Sequence, residues 1–292
     1  MPVTKSILRY PGGKTRLVSF VKHLIAINGI DCPIYCEPFC GGAGIAMSLL
    51  LSGKVESIVL NDLDPSIYSI WYAVIHDTDR FINKIYHSSI VMEEWYKQRD
   101  IYRKLKDINE YSLDLAYAAF FLNRTNRSGI ISGGPIGGYN QRSEYALGCR
   151  FNVESLIEKV KVIASFKEQI YLYAKDGIAF IDDVLPTYNR DRLFIYFDPP
   201  YYKQGQFLYK NGLSENYHSE LATVIQGLDR YKWIVTYDKS QWICGLYKNS
   251  RGFLYTLRYS ANRKREEQEL LFTNNFTQVE SFEKVCLSPL GI

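Results

Sequence analysis

The sequence predicts an α/β protein whose doubly wound sheet is interrupted by a helical insert. Short apolar runs alternate with helical patterns in the first third of the chain and again beyond residue 166. Between about Ile75 and Phe166 the strand signals disappear and helical periodicity prevails. We therefore expect one domain formed by residues 1–74 and 167–292, and a second, helical domain formed by residues 75–166.

The first third of the chain contains one strand, turn, helix and strand unit. A helix is expected at Thr15 to Ile27, then a strand within the run Pro33 to Phe39. A glycine turn leads into a buried helix across Gly41 to Leu51, and a second strand, Ser57 to Leu60, runs toward Asp62. A mostly parallel sheet follows. Its later strands are expected at Gln169 to Tyr173, Leu193 to Phe197, Trp233 to Thr236, Phe253 to Leu257 and Glu269 to Thr273.

The helical insert ends in a basic, glycine-rich stretch. Helices are expected at Glu93 to Lys106 and Ser112 to Leu122. Residues 123–150 then carry six glycines and four arginines against one acid. The net charge of +4 over the whole chain is too small to identify a polyanionic partner. The local cluster does suggest one.

Composition indicates an ordinary globular protein. The 292 residues are 47% hydrophobic and 23% charged, which excludes a disordered chain. Tyrosine is abundant, with 24 residues, and suits base stacking or interfaces as well as a core. No apolar run reaches the roughly 18 residues of a membrane span, and a signal peptide is not evident. We expect a cytoplasmic protein, nucleoid-associated in a bacterium or in the host cytoplasm if viral, with no membrane partner.

The tetrad Asp198-Pro199-Pro200-Tyr201 carries the most informative chemistry. It follows an apolar run, so Asp198 is expected at the carboxyl end of a buried strand. The two prolines restrict the backbone, which holds the Asp198 carboxylate and the Pro199 carbonyl as fixed acceptors. Two such acceptors would make an exocyclic amino group pyramidal and nucleophilic toward a methyl sulfonium. Tyr201 would offer a face for an extruded base.

A glycine turn and a distant acid form the second candidate site. Glycines let the backbone approach a ligand, and the following helix turns its positive end toward it. Asp62 ends the next strand about twenty residues later, where a carboxylate commonly meets ribose hydroxyls. The alternative role of Asp62 is to cap a helix, although Asp64 with Pro65 is a better cap.

Four motifs follow one another along the chain: Arg9-Tyr10-Pro11-Gly12-Gly13-Lys14, the segment Glu37 to Gly44, Asn61-Asp62, and Asp198 to Tyr201. Their order resembles that of the Dam-like DNA adenine-N6 methyltransferases of the alpha group. The resemblance covers nearly the whole chain. It implies a Rossmann-like methyltransferase sheet with an inserted DNA-recognition domain, S-adenosyl-L-methionine as cofactor and double-stranded DNA as partner.

The resemblance also implies roles in cofactor binding. Tyr10 and Lys14 would contact the methionine end of the cofactor, and Asp62 would hold its ribose. Asp176 follows a predicted strand where the family places an acid near the cofactor's adenine, and a helix N-cap is its equally weighted alternative. The residues that would cradle the cofactor are Phe39, Gly41, Gly42 and Gly44, and Asp198 would also border it.

Two segments are candidates for DNA contact. Asn123, Arg124 and Arg127 resemble the start of the family's recognition loop, whose end is similar to the stretch that contains Pro135 and Tyr139. The segment between them is shorter than in better-known members, which leaves the target sequence open. Arg263 lies in a basic loop that either meets phosphates or forms a solvated hairpin with internal ion pairs.

Several other functions remain to be separated from adenine methylation. Cytosine-N4 enzymes more often begin the tetrad with serine and protein-glutamine enzymes with asparagine, so Asp198 favours adenine. An inactive DNA-binding protein of the same fold is the other alternative. Gly13-Lys14-Thr15 is similar to the end of a P-loop, which would indicate a nucleotide hydrolase or kinase. Leu8 stands where that loop needs its first glycine, so this alternative is set aside. Cys32, Cys36 and Cys40 are four residues apart, as ligands on one helix face would be. Pro33 and Pro38 disfavour a continuous helix there, which argues against a metal site. A cognate restriction endonuclease is a conceivable genetic partner.

Overall fold

Helices and strands alternate along the chain in the computed structural model, which describes residues 4–9, 14–202, 213–257 and 267–291. The helices are α1 Val18–Ile27, α2 Gly44–Leu51, α3 Pro65–His76, α4 Thr78–Tyr86, α5 Met92–Leu105, α6 Leu113–Thr125, α7 Val153–Ala164, α8 Gly177–Asp183, α9 Glu215–Gln226 and α10 Gln241–Leu246. The strands are β1 Ile34–Glu37, β2 Ser57–Asn61, β3 Ile170–Tyr173, β4 Leu193–Phe197, β5 Lys232–Asp238, β6 Arg251–Leu257, β7 Glu267–Thr273 and β8 Val285–Pro289.

The chain divides into two units, and both are discontinuous in sequence. The first comprises Met1–Thr15, Gly41–Leu51 and Asp62–Ala174. The second comprises Arg16–Cys40, Ser52–Asn61 and Lys175–Ile292. The residues 75–166 that the sequence predicts as a helical insert all lie in the first unit, which also takes in segments from both sides of them.

The second unit is built on a sheet with the order β2-β1-β4-β5-β7-β6-β8. β1 pairs in parallel with β2 and β4, and β4 pairs in parallel with β5. All residues of β1, β2 and β4 are buried. Continuous apolar runs of this kind are typical of parallel strands that are covered on both faces. The α/β fold class expected from the sequence is therefore confirmed.

The other half of the sheet is antiparallel. β7 pairs with β5 and with β6, and β8 pairs with β6, in each case antiparallel. The expectation of a mostly parallel sheet therefore holds only for β2, β1, β4 and β5. Hydrophobic periodicity identifies a strand but carries no information about its direction. The edge strand β8 was not expected, because most of its residues are at least partly exposed and give no apolar run.

Helices dominate the first unit, and α6 lies at its centre. Ten residues of α6 are buried, and the helix packs against α3 and α5. Its start is defined by Ser112, whose hydroxyl accepts a hydrogen bond from the backbone N–H of Leu115 at 3.2 Å. α5 and α6 match the two helices expected in the insert to within about three residues.

We expect the aromatic core beside α6 to dominate the stability of the first unit. The ring of Phe120 is fully buried and lies 5.3 Å from Phe81 and 5.7 Å from Phe151, centroid to centroid. Phe120→Ala should lower the free energy of unfolding by about 3 to 5 kcal/mol, because it removes apolar contacts and leaves a cavity. Urea denaturation measures this loss. The exposed Tyr86→Ala is the control and should stay close to wild type; equal losses would contradict the assignment.

Candidate active site

The loops that follow β1 and β4 leave the sheet side by side. β1 has β2 on one side and β4 on the other, so the strand order reverses between β1 and β4. Open α/β sheets bind ligands at the crevice that such a reversal creates at the carboxyl ends of the strands. Phe39 follows β1 and Asp198 follows β4 directly. The fold thus brings these two candidate residues to the edge where a ligand site is expected.

A buried chain of hydroxyl groups orients the carboxylate of Asp198. The Thr236 hydroxyl on β5 donates to Asp198 Oδ1 at 2.9 Å, and the Tyr196 hydroxyl lies 2.9 Å from the same Thr236 oxygen. Burial raises the pKa of Tyr196, so this hydroxyl stays protonated and can donate to Thr236. Pro199 is buried and Pro200 half-buried, and neither has a backbone N–H. The segment therefore presents a carboxylate and backbone carbonyls, all of them acceptors.

The hydroxyl of Tyr201 is held by a carboxylate from the antiparallel half of the sheet. It donates to Glu269 Oε2 at 3.0 Å, and the buried Tyr255 hydroxyl donates to the same oxygen. Burial raises the pKa of Tyr201, and the carboxylates of Asp198 and Glu269 raise it further. The phenol is therefore a neutral donor at physiological pH. The ring of Tyr201 is anchored at its polar end.

Tyr202 fixes the end of the described loop. Its backbone N–H donates to Asp238 Oδ1 at 3.0 Å, and its ring stacks on Trp242 with centroids 4.6 Å apart. The buried His218 lies edge-on to Tyr202 and accepts from or donates to the Tyr237 hydroxyl at 3.0 Å. Two consecutive tyrosines are thus secured, one by its side chain and the next by its backbone and ring.

Asn61, at the end of β2, ties together the segments that follow β1 and β3. Its side-chain amide donates to the carbonyls of Pro38 and Lys175, both at 2.9 Å, and accepts from the Lys175 N–H at 2.9 Å. Nearby on β1, the buried carboxylate of Glu37 accepts from the Tyr35 hydroxyl at 2.9 Å. The bond to Pro38 fixes the backbone directly before Phe39.

Asp176 caps a helix that faces Phe39. Asp176 Oδ1 accepts from the backbone N–H groups of Ile178 and Ala179 at 2.9 and 3.3 Å, and Oδ2 accepts from the Tyr217 hydroxyl at 2.7 Å. A Cβ on Gly177 would lie only 2.4 Å from the Phe39 ring, so only glycine permits this approach. The N-cap alternative for Asp176 is thus realised, and its role toward the cofactor's adenine stays a prediction.

In the first unit, Asp62 orders the glycine turn. Its Oδ2 accepts from the backbone N–H of Gly41 at 2.8 Å and its Oδ1 from that of Asp64 at 3.0 Å. The carbonyl of Gly41 accepts from the indole N–H of the buried Trp71 at 2.9 Å. Asp64 caps α3 through the backbone N–H of Ser66. Asp62 is therefore joined to the turn itself, a contact that sequence spacing alone does not reveal.

Asn123 and Arg124 bind backbone rather than facing outward. Asn123 is 1% exposed; its amide accepts from the Arg9 N–H at 2.9 Å and donates to the carbonyls of Arg9 and Gly129, both at 2.8 Å. The Arg124 guanidinium donates to the carbonyls of Arg150 and Ile7, and burial lowers its pKa to about 10. In this structure these side chains shape the predicted recognition loop.

The loop after α6 is organised around the buried side chain of Asn126. Its amide donates to the carbonyls of Ile130, Ile131 and Gly133 and accepts from the Trp95 indole at 2.7 Å. Pro135 is buried and forms a bridge with Asn126. By contrast, Arg127 is exposed and Tyr139 is 59% exposed, with its ring edge-on to Trp95. Arg127 and Tyr139 are the predicted contact residues that this loop presents to solvent.

Tyr10 and Arg263 lie outside the described residues. Lys14 is described and is buried. Across the parts of the chain that the structure describes, no three His, Cys, Asp or Glu side chains are grouped to hold a metal ion. Over the same parts, no helix has the length and apolarity needed to cross a membrane.

Sequence reasoning missed most of the residues that orient the candidate site. Thr236, Asp238, Glu269 and Tyr217 all hydrogen-bond to residues 198–202 or Asp176, yet none belongs to a recognisable motif. Their partners lie 36 to 68 residues away in sequence. Asp238 ends β5 and Glu269 lies within β7, but the sequence does not identify the hydrogen-bond partner of either acid.

Comparisons with known proteins agree with this arrangement. A family model described as D12 class N6 adenine-specific DNA methyltransferase matches residues 10–268. The Type II methyltransferase M.CviBI of Paramecium bursaria Chlorella virus NC1A is 26% identical over 201 residues, which are 68% of this chain and 69% of that protein.

Similarity to solved structures is weaker. The rRNA methyltransferase aviRa from Streptomyces viridochromogenes aligns over 90% of this chain and 85% of its own, with 10% identity and a TM-score of 0.35. Protein LPL1258 from Legionella pneumophila aligns over 90% and 82%, with 15% identity and a TM-score of 0.30. The fold described above rests on the strand order, not on these alignments.

Acidification should loosen the aromatic cluster around His218. Burial lowers the pKa of His218, which the nearby Asp238 only partly opposes, so the folded state favours the neutral ring. In the unfolded chain the pKa is about 6.5, so between that pH and the lower folded pKa the unfolded state binds more protons. Stability is therefore fully present above about pH 6.5 and falls as pH decreases.

Urea unfolding at pH 7.5 and 5.5 measures this effect. The loss of stability between the two pH values should be smaller in His218→Asn than in wild type. His87→Asn, at an exposed histidine, is the matched control and should keep the wild-type pH dependence. An unchanged pH dependence in His218→Asn would remove His218 as the cause.

Proposed function

The chain belongs to the D12 class of N6 adenine-specific DNA methyltransferases, and we propose that it methylates an adenine flipped out of duplex DNA, with S-adenosyl-L-methionine as donor. Adenine-specific DNA methylation follows from family membership. The observation that carries the proposed chemistry is the Asp198 carboxylate, which follows a buried strand, is oriented by Thr236 and precedes two prolines. The cofactor, base extrusion and residue roles are the proposal.

Asp198 and the Pro199 carbonyl accept hydrogen bonds from the exocyclic amino group of the adenine. The nitrogen lone pair is delocalised into the purine ring, and two fixed acceptors draw the group toward a pyramidal, nucleophilic geometry. The Thr236 bond at 2.9 Å holds one carboxylate oxygen in place before substrate binds. Catalysis then depends on positioning and on acceptors that need no reorganisation, and no covalent enzyme intermediate is required.

Tyr201 supplies the stacking surface for the extruded base. Extrusion costs a few kcal/mol of lost pairing and stacking, which an aromatic face offsets in part. The Tyr201 phenol is anchored to Glu269, so its ring does not have to be ordered when the base arrives. Pro200 keeps Tyr201 at a fixed distance from Asp198 along a restricted backbone.

S-adenosyl-L-methionine supplies an electrophilic methyl group on a sulfonium. The chain's residues fit such a ligand, because the Phe39 ring lies against the backbone of Gly177 at the start of α8, where a Cβ would intrude. Carboxylates suit its ribose and amino groups. We assign contacts with it to Tyr10, Lys14, Phe39, Gly41, Gly42, Gly44, Asp62, Asp176 and Asp198.

DNA contact is assigned to the exposed residues of the recognition loop. Arg127 and Tyr139 project from a loop whose backbone is hydrogen-bonded internally, and they supply a phosphate or base contact and an aromatic face. Asn123, Arg124 and Pro135 act through the shape of that loop. Arg263 is retained as a phosphate contact from the basic segment before β7.

Family membership decides between the alternatives that the sequence leaves open. An N6 adenine class excludes cytosine-N4 as the target atom. An inactive relative would have no reason to keep both a catalytic acid and its buried hydroxyl support. A cognate restriction endonuclease is proposed as a genetic partner on the strength of the Type II name of the viral relative.

The central experiment is to incubate the protein with S-adenosyl-L-methionine and duplex DNA and to map methylated adenines by sequencing. Methyl groups at N6 of adenine within one short motif are expected. Methylation confined to cytosine, or none with intact cofactor binding, would contradict the proposal. The mapped motif also supplies the substrate for every kinetic test below.

Asp198→Ala should abolish methyl transfer while the cofactor still binds. Loss of one preorganised electrostatic contact costs about 10²-fold to 10³-fold in rate, and the acid is also the anchor of the amino group. Transfer of a labelled methyl group gives the rate, and calorimetric titration gives the cofactor affinity. The exposed Asp191→Ala is the matched control and should behave as wild type. Near-normal turnover in Asp198→Ala would refute its catalytic role.

Arg127→Ala should weaken DNA binding without changing cofactor binding. Each phosphate contact contributes about one unit to the slope of log affinity against log salt, so the slope should fall by about one. Fluorescence anisotropy with labelled duplex at several salt concentrations measures it. Arg80→Ala, another exposed arginine that pairs with Asp77, is the control. An unchanged slope would remove Arg127 from the interface.

A further inference from the structure

Two acids lie directly opposite each other where β5 pairs with β7. The antiparallel register aligns Asp238 with Glu269, and the β6 register aligns Glu269 with Tyr255. Directly opposite residues share a face of the sheet, and like charges in such positions destabilise a strand pair. This destabilisation is offset where each carboxylate accepts a hydrogen bond.

Both acids bind the end of the segment 198–202, which contains the tetrad. Asp238 Oδ1 accepts from the Tyr202 backbone N–H at 3.0 Å, and Glu269 Oε2 accepts from the Tyr201 hydroxyl at 3.0 Å. The two contacts hold consecutive residues, one through the backbone and the other at the far end of a side chain. Together they restrict both the position of the tyrosine and the direction of its ring.

We infer that Glu269 is a positioning residue for methyl transfer, which holds the Tyr201 ring in the orientation that receives the adenine. The inference rests on the proposed stacking role of Tyr201. Glu269 acts through Tyr201 and touches neither the base nor the methyl donor in this account. Tyr255 shares the same Glu269 oxygen and fixes the carboxylate from the other side.

The chemistry of the groups makes this contact persistent. Burial raises the pKa of Tyr201 and of Tyr255, so both phenols remain protonated donors well above neutral pH. A hydrogen bond from a neutral hydroxyl to a carboxylate is stronger than one between two neutral groups. Without this bond the Tyr201 ring would have several accessible orientations. The conformational entropy of the ring would then be lost when the adenine binds, which raises the barrier to methyl transfer.

Glu269→Ala should slow the chemical step and leave the cofactor site intact. A misplaced group near the reacting atoms costs about 10-fold to 100-fold, so the single-turnover rate of methyl transfer should fall by that factor while cofactor affinity stays at the wild-type value. Glu269→Gln keeps an acceptor oxygen and should recover most of the rate. Glu280→Ala, at an exposed acid, is the matched control and should keep it fully.

A double-mutant cycle separates positioning from general damage. Tyr201→Phe keeps the ring but removes the donor, so it should lose as much rate as Glu269→Ala, and the double variant should lose no more than either alone. Tyr86→Phe, at an exposed tyrosine, is the control for loss of a hydroxyl. Where Glu269→Ala does not fold, as judged by circular dichroism, Tyr201→Phe and Glu269→Gln carry the test by themselves.

The inference fails if Tyr201→Phe or Glu269→Ala transfers methyl groups at the wild-type single-turnover rate, or if their losses add in the double variant. It also fails if the lost rate is explained by weaker cofactor binding. Failure of the proposed function is distinct, because it would appear as absent adenine methylation in wild type or as an active Asp198→Ala.

Discussion

The candidate site depends on one kind of interaction, a hydrogen bond from a neutral hydroxyl group to a carboxylate. A neutral donor orients a carboxylate and leaves its negative charge in place. A lysine or arginine partner would orient the carboxylate but also neutralise that charge. Acids held this way keep their power as acceptors for an incoming amino group or sugar hydroxyl. The described pairs are Thr236 with Asp198, Tyr201 with Glu269, Tyr35 with Glu37 and Tyr217 with Asp176.

This interaction also gives a physical meaning to the tyrosine content. Among the 24 tyrosines, six of the described ones donate to carboxylates: Tyr35, Tyr111, Tyr201, Tyr202, Tyr217 and Tyr255. Burial raises the pKa of Tyr35, Tyr201, Tyr217 and Tyr255. Phenylalanine would fill the same volume but could not orient an acid. The composition suggests stacking or a core, and the structure shows a third use, the delivery of a hydroxyl into a largely apolar region.

Sequence reasoning located the strands better than the contacts between them. The apolar run Leu193 to Phe197 coincides with the bounds of β4. A parallel strand that is covered on both faces consists of consecutive apolar residues, so the run itself marks the strand. Asn123 and Arg124 show the opposite case. Both read as exposed contact residues from their motif, yet their partners include Arg9, which is 114 residues from Asn123. Periodicity reports burial of a segment, but the destination of a polar side chain depends on tertiary packing that no local pattern encodes.

The predicted recognition loop after α6 separates buried side chains that hold its backbone from exposed side chains. Its backbone carbonyls are satisfied by the buried amides of Asn123 and Asn126, and the close approach of Gly129 to Arg9, where a Cβ would lie 2.1 Å from a carbonyl oxygen, keeps the loop against the N-terminal segment. Arg127 and Tyr139, by contrast, are exposed. Substitutions at exposed positions of this kind change surface chemistry at little cost in stability. Loop shape is therefore set by buried amides, and under the proposed DNA contact the preferred DNA sequence would depend on the side chains that project from the loop.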